Sequence, residues 1–136
     1  MPQLAGHFSL DLMLIESETF ETQRSLPKQW EDAVLRFCEF KGIQFEGGGP
    51  SGALLDCTLE RWDWYWSLFN TATFVGVTFR SCEFAGVTFA GCRFVECVFE
   101  GCKFANDSFN KPCMFNENSW YRCEFDQTEK PEGGLR

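Results

Sequence analysis

The chain has 136 residues, 44% of them hydrophobic, which is enough to bury one core and too few to require a second domain. Its formal charge of −8 argues against direct binding to a nucleic-acid backbone, which takes clustered Lys and Arg. No apolar run is long enough to span a bilayer, and the amino terminus lacks a basic start followed by an apolar stretch, so a soluble, cytoplasmic protein is expected.

Residues 1–32 follow no strict period and are read as an N-terminal cap over the end of whatever follows. The alternation from Phe8 to Ile15 suggests a strand, and Ser25 to Val34 reads as a short helix, with Pro27 in its first turn, or as an extended lead-in. His7, the single histidine, stands near the terminus and is expected to be idle.

From residue 33 to 127 a large apolar residue returns every fifth position. Leu35, Phe40 and Phe45 begin the ladder, Leu54, Leu59, Trp64 and Phe69 resume it, and it continues through Phe74, Phe79, Phe84, Phe89, Phe94, Phe99, Phe104 and Phe109 before slipping by one residue to Phe115, Trp120 and Phe125. A period of five suits neither a helix nor a flat strand, and calls for a coil built of short straight pieces and corners. Two stretches depart from it. Residues 46–52 are rich in glycine and read as a flexible excursion without the Lys-Ser or Lys-Thr of a phosphate-binding loop, so Gly47, Gly48, Gly49 and Pro50 are candidates for partner contact. The second is Arg61–Ser67, where Trp62, Trp64, Tyr65 and Trp66 either pack beneath the N-terminal segment or form an exposed aromatic patch for a partner.

All eight cysteines fall two residues before a ladder residue, a slot that Ala72, Val77 and Val87 fill elsewhere. They are read as reduced, small core residues; no Cys-x-x-Cys pair points to metal, and no disulfide is expected. The core is then Cys82, Phe84, Phe89, Cys92, Phe94, Cys97, Phe99, Cys102 and Phe104 with their equivalents. Asp107 and Asn118 are polar residues at that slot; Asp107 and the extra residue in Lys111–Phe115 together suggest a bulge or corner loop near one edge, and Asn118 is expected to bridge backbone groups there. Residues 128–136 have no apolar run and read as a disordered tail.

The units Cys82-Glu-Phe-Ala-Gly86, Val87-Thr-Phe-Ala-Gly91, Cys92-Arg-Phe-Val-Glu96, Cys97-Val-Phe-Glu-Gly101 and Cys102-Lys-Phe-Ala-Asn106 resemble the pentapeptide-repeat family. The resemblance implies an all-β fold: a right-handed quadrilateral parallel β-helix, here of about four coils, with a non-repeating N-terminal cap. Four pentapeptides make one coil, so Leu59, Phe79 and Phe99 should stack, as should Trp64, Phe84 and Phe104, and Phe69, Phe89 and Phe109.

No nucleophile, acid and base converge in the sequence, so neither catalysis, a cofactor nor a metal is expected. The leading reading is a non-catalytic scaffold that binds a protein partner. The resemblance adds a second, since some members of the family mimic duplex DNA and bind DNA gyrase in quinolone resistance. A bacterial toxin-immunity or secretion accessory protein is a third, and a homodimer is compatible with each.

Overall fold

A computed structural model describes residues 13–131, so the first half of the Phe8–Ile15 alternation, His7 and the end of the tail lie outside the described residues. The five-residue period becomes a short strand followed by a corner. Among the described residues nineteen strands of two or three residues turn one large side chain each toward the interior. Every pairing is parallel and joins a strand to its equivalent one coil away. The result is a four-sided parallel β-solenoid of about five turns, one more than the ladder suggested. Two short 3-10 turns, Gln23–Ser25 and Trp30–Asp32, interrupt it, and no α-helix occurs among the described residues.

On the first face the inward column is Ile15, Leu35, Leu54, Phe74, Phe94 and Trp120; on the second it is Phe20, Phe40, Leu59, Phe79, Phe99 and Phe125. The third holds Phe45, Trp64, Phe84 and Phe104, and the fourth Phe69, Phe89 and Phe115. Rings one coil apart lie face to face at the strand spacing: Phe74 and Phe94 at 4.9 Å and 4°, Phe79 and Phe99 at 4.5 Å and 3°. Most corners have positive φ two residues after the central side chain, and many of these are not glycine: Phe37, Arg61, Trp66 and Thr71 sit at 57°, 53°, 55° and 56°. Closure of the square overrides a local preference worth about 1–2 kcal/mol per residue.

The cysteines occupy the small slots as free thiols, six of them buried. Each of these slots faces a carbonyl of the preceding coil, to which the thiol donates: Cys92 to Phe69 at 3.2 Å, Cys102 to Phe79 at 3.2 Å, Cys123 to Phe94 at 3.4 Å. A weak donor there does what alanine cannot. Near the last coil stronger donors take over. The Asn118 side chain donates to the Phe89 carbonyl at 3.0 Å and accepts from the Cys92 amide at 2.8 Å, as expected, and the Thr128 hydroxyl donates to Phe99 at 3.0 Å. Thr128 is therefore part of the stack, not of a disordered tail. Burial pushes the Cys57 thiol up to about 12 and that of Cys92 up to about 11, which keeps both protonated.

Three further departures from the sequence reading have local causes. Strands Leu14–Glu16 and Thr19–Phe20 pair with Val34–Arg36 and Glu39–Lys41, so coiling starts inside the segment read as a cap. Only residues 21–33 fold away from the wall, capped at Thr22 by Ser25 and ending with the Trp30 indole buried against Trp62 at 5.7 Å.

The glycine-rich stretch is not a flexible excursion but a rung of the fourth face. Leu68 N–H donates to the Gly48 carbonyl at 2.7 Å, Asn70 N–H to Pro50 at 3.2 Å, and Pro50 is buried. The backbone passes so close to its neighbours that a Cβ at Gly49 would strike the Leu68 carbonyl and one at Gly52 the Ala33 carbonyl.

Third, Phe109 does not enter the column under Phe89. The step from Phe104 to Phe115 takes eleven residues where Phe84 to Phe89 takes five, and residues 106–112 leave the wall as a loop. Phe109 is 68% exposed.

Candidate functional site

A side chain placed two residues after a central one leaves the coil at a corner, and Trp66 does so between the strands Asp63–Tyr65 and Leu68–Asn70. One coil further on, that corner is Gly86. Its lack of a side chain opens a path, because a Cβ there would stand 2.8 Å from the Cβ of Asp107. Trp66 therefore reaches past Gly86 to the loop and donates from Nε1 to Asp107 Oδ2 at 2.9 Å. Tyr65 hydroxyl and Ser108 hydroxyl meet at 2.5 Å, and the Ser108 amide donates to the same phenol oxygen at 3.0 Å.

Asp107 organises the loop. Its Oδ1 accepts from the amides of Phe109 at 2.8 Å and Lys111 at 2.9 Å, its own amide donates to the Lys111 carbonyl at 2.8 Å, and its carbonyl accepts from Asn110 at 3.0 Å. Phe109 is held outward by this network, with its ring stacked on Trp66 at 5.7 Å and 15°, while Trp66 stacks on Tyr65 at 4.9 Å and 28°. Three aromatic rings thus form a fixed stack, and a shallow groove of about 600 Å³ beside it is lined by Leu68, Thr88 and Lys111 as well as Trp66 and Phe109. Leu68 is 45% exposed and Trp66 44%. The adjoining outer positions of the fourth face, Leu68, Thr88, Met114, Asn70, Ala90 and Asn116, carry no charge although the chain carries −8.

The Asp107 carboxyl is held below its ordinary 3.8, first by the Lys111 backbone hydrogen bond and also by those from the Trp66 indole and the Phe109 amide. A carboxyl whose folded value is depressed contributes its order fully above the ordinary value and loses it as pH falls through the folded one. The Trp66 indole N–H resonance in proton–nitrogen NMR is accordingly expected to titrate with a midpoint below 3.8. A midpoint at or above that value would remove Asp107 as the acceptor.

The structure divides the sequence candidates. Trp62 and Trp64 are 0% and 1% exposed and stacked on each other at 4.1 Å and 5°, so they are core and cannot touch a partner. Trp62 stands in a slot that small residues fill elsewhere, and its indole packs there against Phe40 and Phe45. Gly47, Gly48, Gly49 and Pro50 belong to the wall, with Pro50 buried and Gly48 exposed. Tyr65 and Trp66 remain at the surface. Cys82, Phe84, Phe89, Cys92, Phe94, Cys97, Phe99 and Cys102 are buried, and Phe104 is half-buried at the end of its column. The sequence reading missed Phe109 as a surface residue and Asp107 as its anchor. The one-residue slip near Lys111-Pro112 was the available signal.

Among the described residues no three His, Cys, Asp or Glu side chains are grouped so that they could hold a metal ion, and no helix is long and apolar enough to cross a membrane. No curated protein matches the chain. A family model described as pentapeptide repeats (8 copies) matches residues 82–106, which span the strands Glu83–Ala85 to Lys103–Ala105. The same unit of inward residue, small slot and corner, stacked into the same four-sided solenoid, continues on both sides of the match, which agrees with the resemblance of these units to the pentapeptide-repeat family.

Proposed function

We propose that the protein is a non-catalytic scaffold which binds a protein partner through the aromatic corner formed by Tyr65, Trp66 and Phe109 and continued by Leu68 and the uncharged fourth face. The observation that carries this reading is Phe109, held in water at 68% exposure by an ordered loop when a core slot for a phenylalanine existed one coil away. Aromatic side chains fixed in place before binding lose little freedom on association and supply much of the energy of protein interfaces. Lys111 and the Asp107 carboxylate both line the groove and offset each other in charge, so the partner surface that fits best is apolar.

The gyrase reading draws no comparable support from the surface. A DNA mimic needs unbroken rows of acid, whereas the second face runs Lys41, Glu60, Arg80, Glu100 and Asp126, with Arg80 Nε donating to Glu100 at 2.8 Å. Asp63 and Glu83 are followed on the third face by Lys103.

In affinity capture from source cells, the wild-type protein is expected to retain a stoichiometric partner that Trp66→Ala and Phe109→Ala each weaken by at least about tenfold, the scale of an aromatic hot spot. Both substitutions lie on the surface and should leave the unfolding midpoint nearly unchanged. Undiminished capture by both variants would exclude this corner as the binding surface.

A further inference from the structure

Three pairs of cysteines occupy the same slot on adjacent coils: Cys38 and Cys57, Cys82 and Cys102, and Cys97 and Cys123. Strand pairing in register brings the two Cα atoms of such a pair to the β spacing of about 4.8 Å, inside the range of about 4.4–6.8 Å that a disulfide spans. The pairs differ in access. Cys38 and Cys57 are each 1% exposed, and Cys82 and Cys102 are 1% and 6% exposed. In the third pair Cys97 is sealed at 0%, but Cys123 is only half-buried and lies beside Glu124–Asp126, the end strand of its sheet. A terminal coil is packed on one side only, so it can shift to let the two sulfurs meet, whereas inner coils are clamped from both sides.

We propose that Cys97 and Cys123 form a peroxide-responsive dithiol that closes to a disulfide and staples the last coil to the one beneath it. Cys123 is the attacking thiol. Its interaction with the Cys97 thiol lowers it below the ordinary thiol value, while the same contact and burial push Cys97 up, so Cys123 is the more readily ionised of the two. The Cys123 sulfur attacks one peroxide oxygen; an S–O bond forms, the O–O bond breaks, and water leaves with the thiol proton, giving a sulfenic acid. The Cys97 sulfur then attacks that sulfur, the S–O bond breaks, and its proton leaves with the hydroxyl as a second water. Two thiols are oxidised by two electrons and one hydroperoxide is reduced, giving one disulfide and two waters.

The test treats the reduced full-length protein with equimolar hydrogen peroxide, blocks remaining thiols with a maleimide, and maps peptides by mass spectrometry. The expected result is a fall from the eight free thiols to six, with Cys97 and Cys123 joined and the other two stacked pairs alkylated. Cys123→Ser should leave Cys97 alkylated. In Cys97→Ala, alanine takes a slot that Ala72 fills on another face, and oxidation should stop at a Cys123 sulfenic acid trapped by dimedone. The proposal is overturned by retention of eight thiols, by a different pair being joined, by a cross-link between molecules, or by Cys123 passing to sulfinic acid in the wild type.

Discussion

Gly49→Ala is expected to cost more stability than any other single-methyl change in this chain, at least about 3 kcal/mol out of a typical total of about 5–15. The added Cβ would overlap the Leu68 carbonyl oxygen and lie 2.9 Å from its carbon, and that neighbour is backbone, fixed by its own ladder. Relief requires parting the Gly48–Pro50 rung from Leu68–Asn70. That breaks the 2.7 Å and 3.2 Å hydrogen bonds joining the two, and strains the one from the Gly49 amide to Glu31 at 3.0 Å. The φ of 148° at Gly49 adds a conformation L-residues avoid. Gly47→Ala is the control. No atom lies within 4 Å of its Cβ, and its φ of 73° alone should cost about 1–2 kcal/mol. Chemical denaturation followed by far-ultraviolet circular dichroism measures both. Equal, small losses would show that 46–52 is a free loop after all.

The second large effect is at Trp62. Trp62→Ala removes an indole that packs at 4.1 Å on Trp64, 5.1 Å on Phe40 and 5.7 Å on Trp30, a cavity worth about 3–5 kcal/mol. Because each coil of a solenoid touches only its neighbours, the loss should fall on residues 13–90, and amide exchange there should accelerate while the coil around Phe94 and Phe99 stays protected. Trp62→Phe separates volume from polarity. The Trp62 Nε1 is buried without a hydrogen-bond partner among the described residues, and phenylalanine removes that unpaired donor along with one ring. It should cost well under half as much as the alanine change. A phenylalanine variant as unstable as the alanine variant would mean that the indole N–H is paired in solution.

The repeat could be read in the sequence because one physical unit, an inward side chain on a straight piece followed by a corner, has the same length wherever it recurs. The small slot was equally plain, since cysteine, alanine and valine exchange there. What escaped was decided by contacts between coils. Asp107 and the slip after it marked a bulge or corner loop, but not that Phe109 leaves the core: enclosing an unpaired carboxylate costs more than one phenylalanine returns on burial, about 1.5–3 kcal/mol, so the unit is expelled and Cys113 takes its slot. Glycines 48, 49 and 52 look like a flexible loop until the approach of Leu68, Glu31 and Ala33 is known. Ile15 and Phe20 are a five-spaced pair too brief to stand out as a period, and only their partners Leu35 and Phe40 show that they coil. The aromatic corner was half legible: Trp66 could be singled out, but its company with Phe109 depends on the bare corner at Gly86 between them.

Phe89 stacks on Phe115 at 4.9 Å and 3°, as closely as rings joined by chain of ordinary length. The stack is therefore indifferent to how much chain leaves and returns at residues 106–112. In evolutionary terms that corner is a docking port for new sequence, where segments can be gained, lost or exchanged without shifting the frame of any coil, so recognition can diverge while the scaffold is inherited intact.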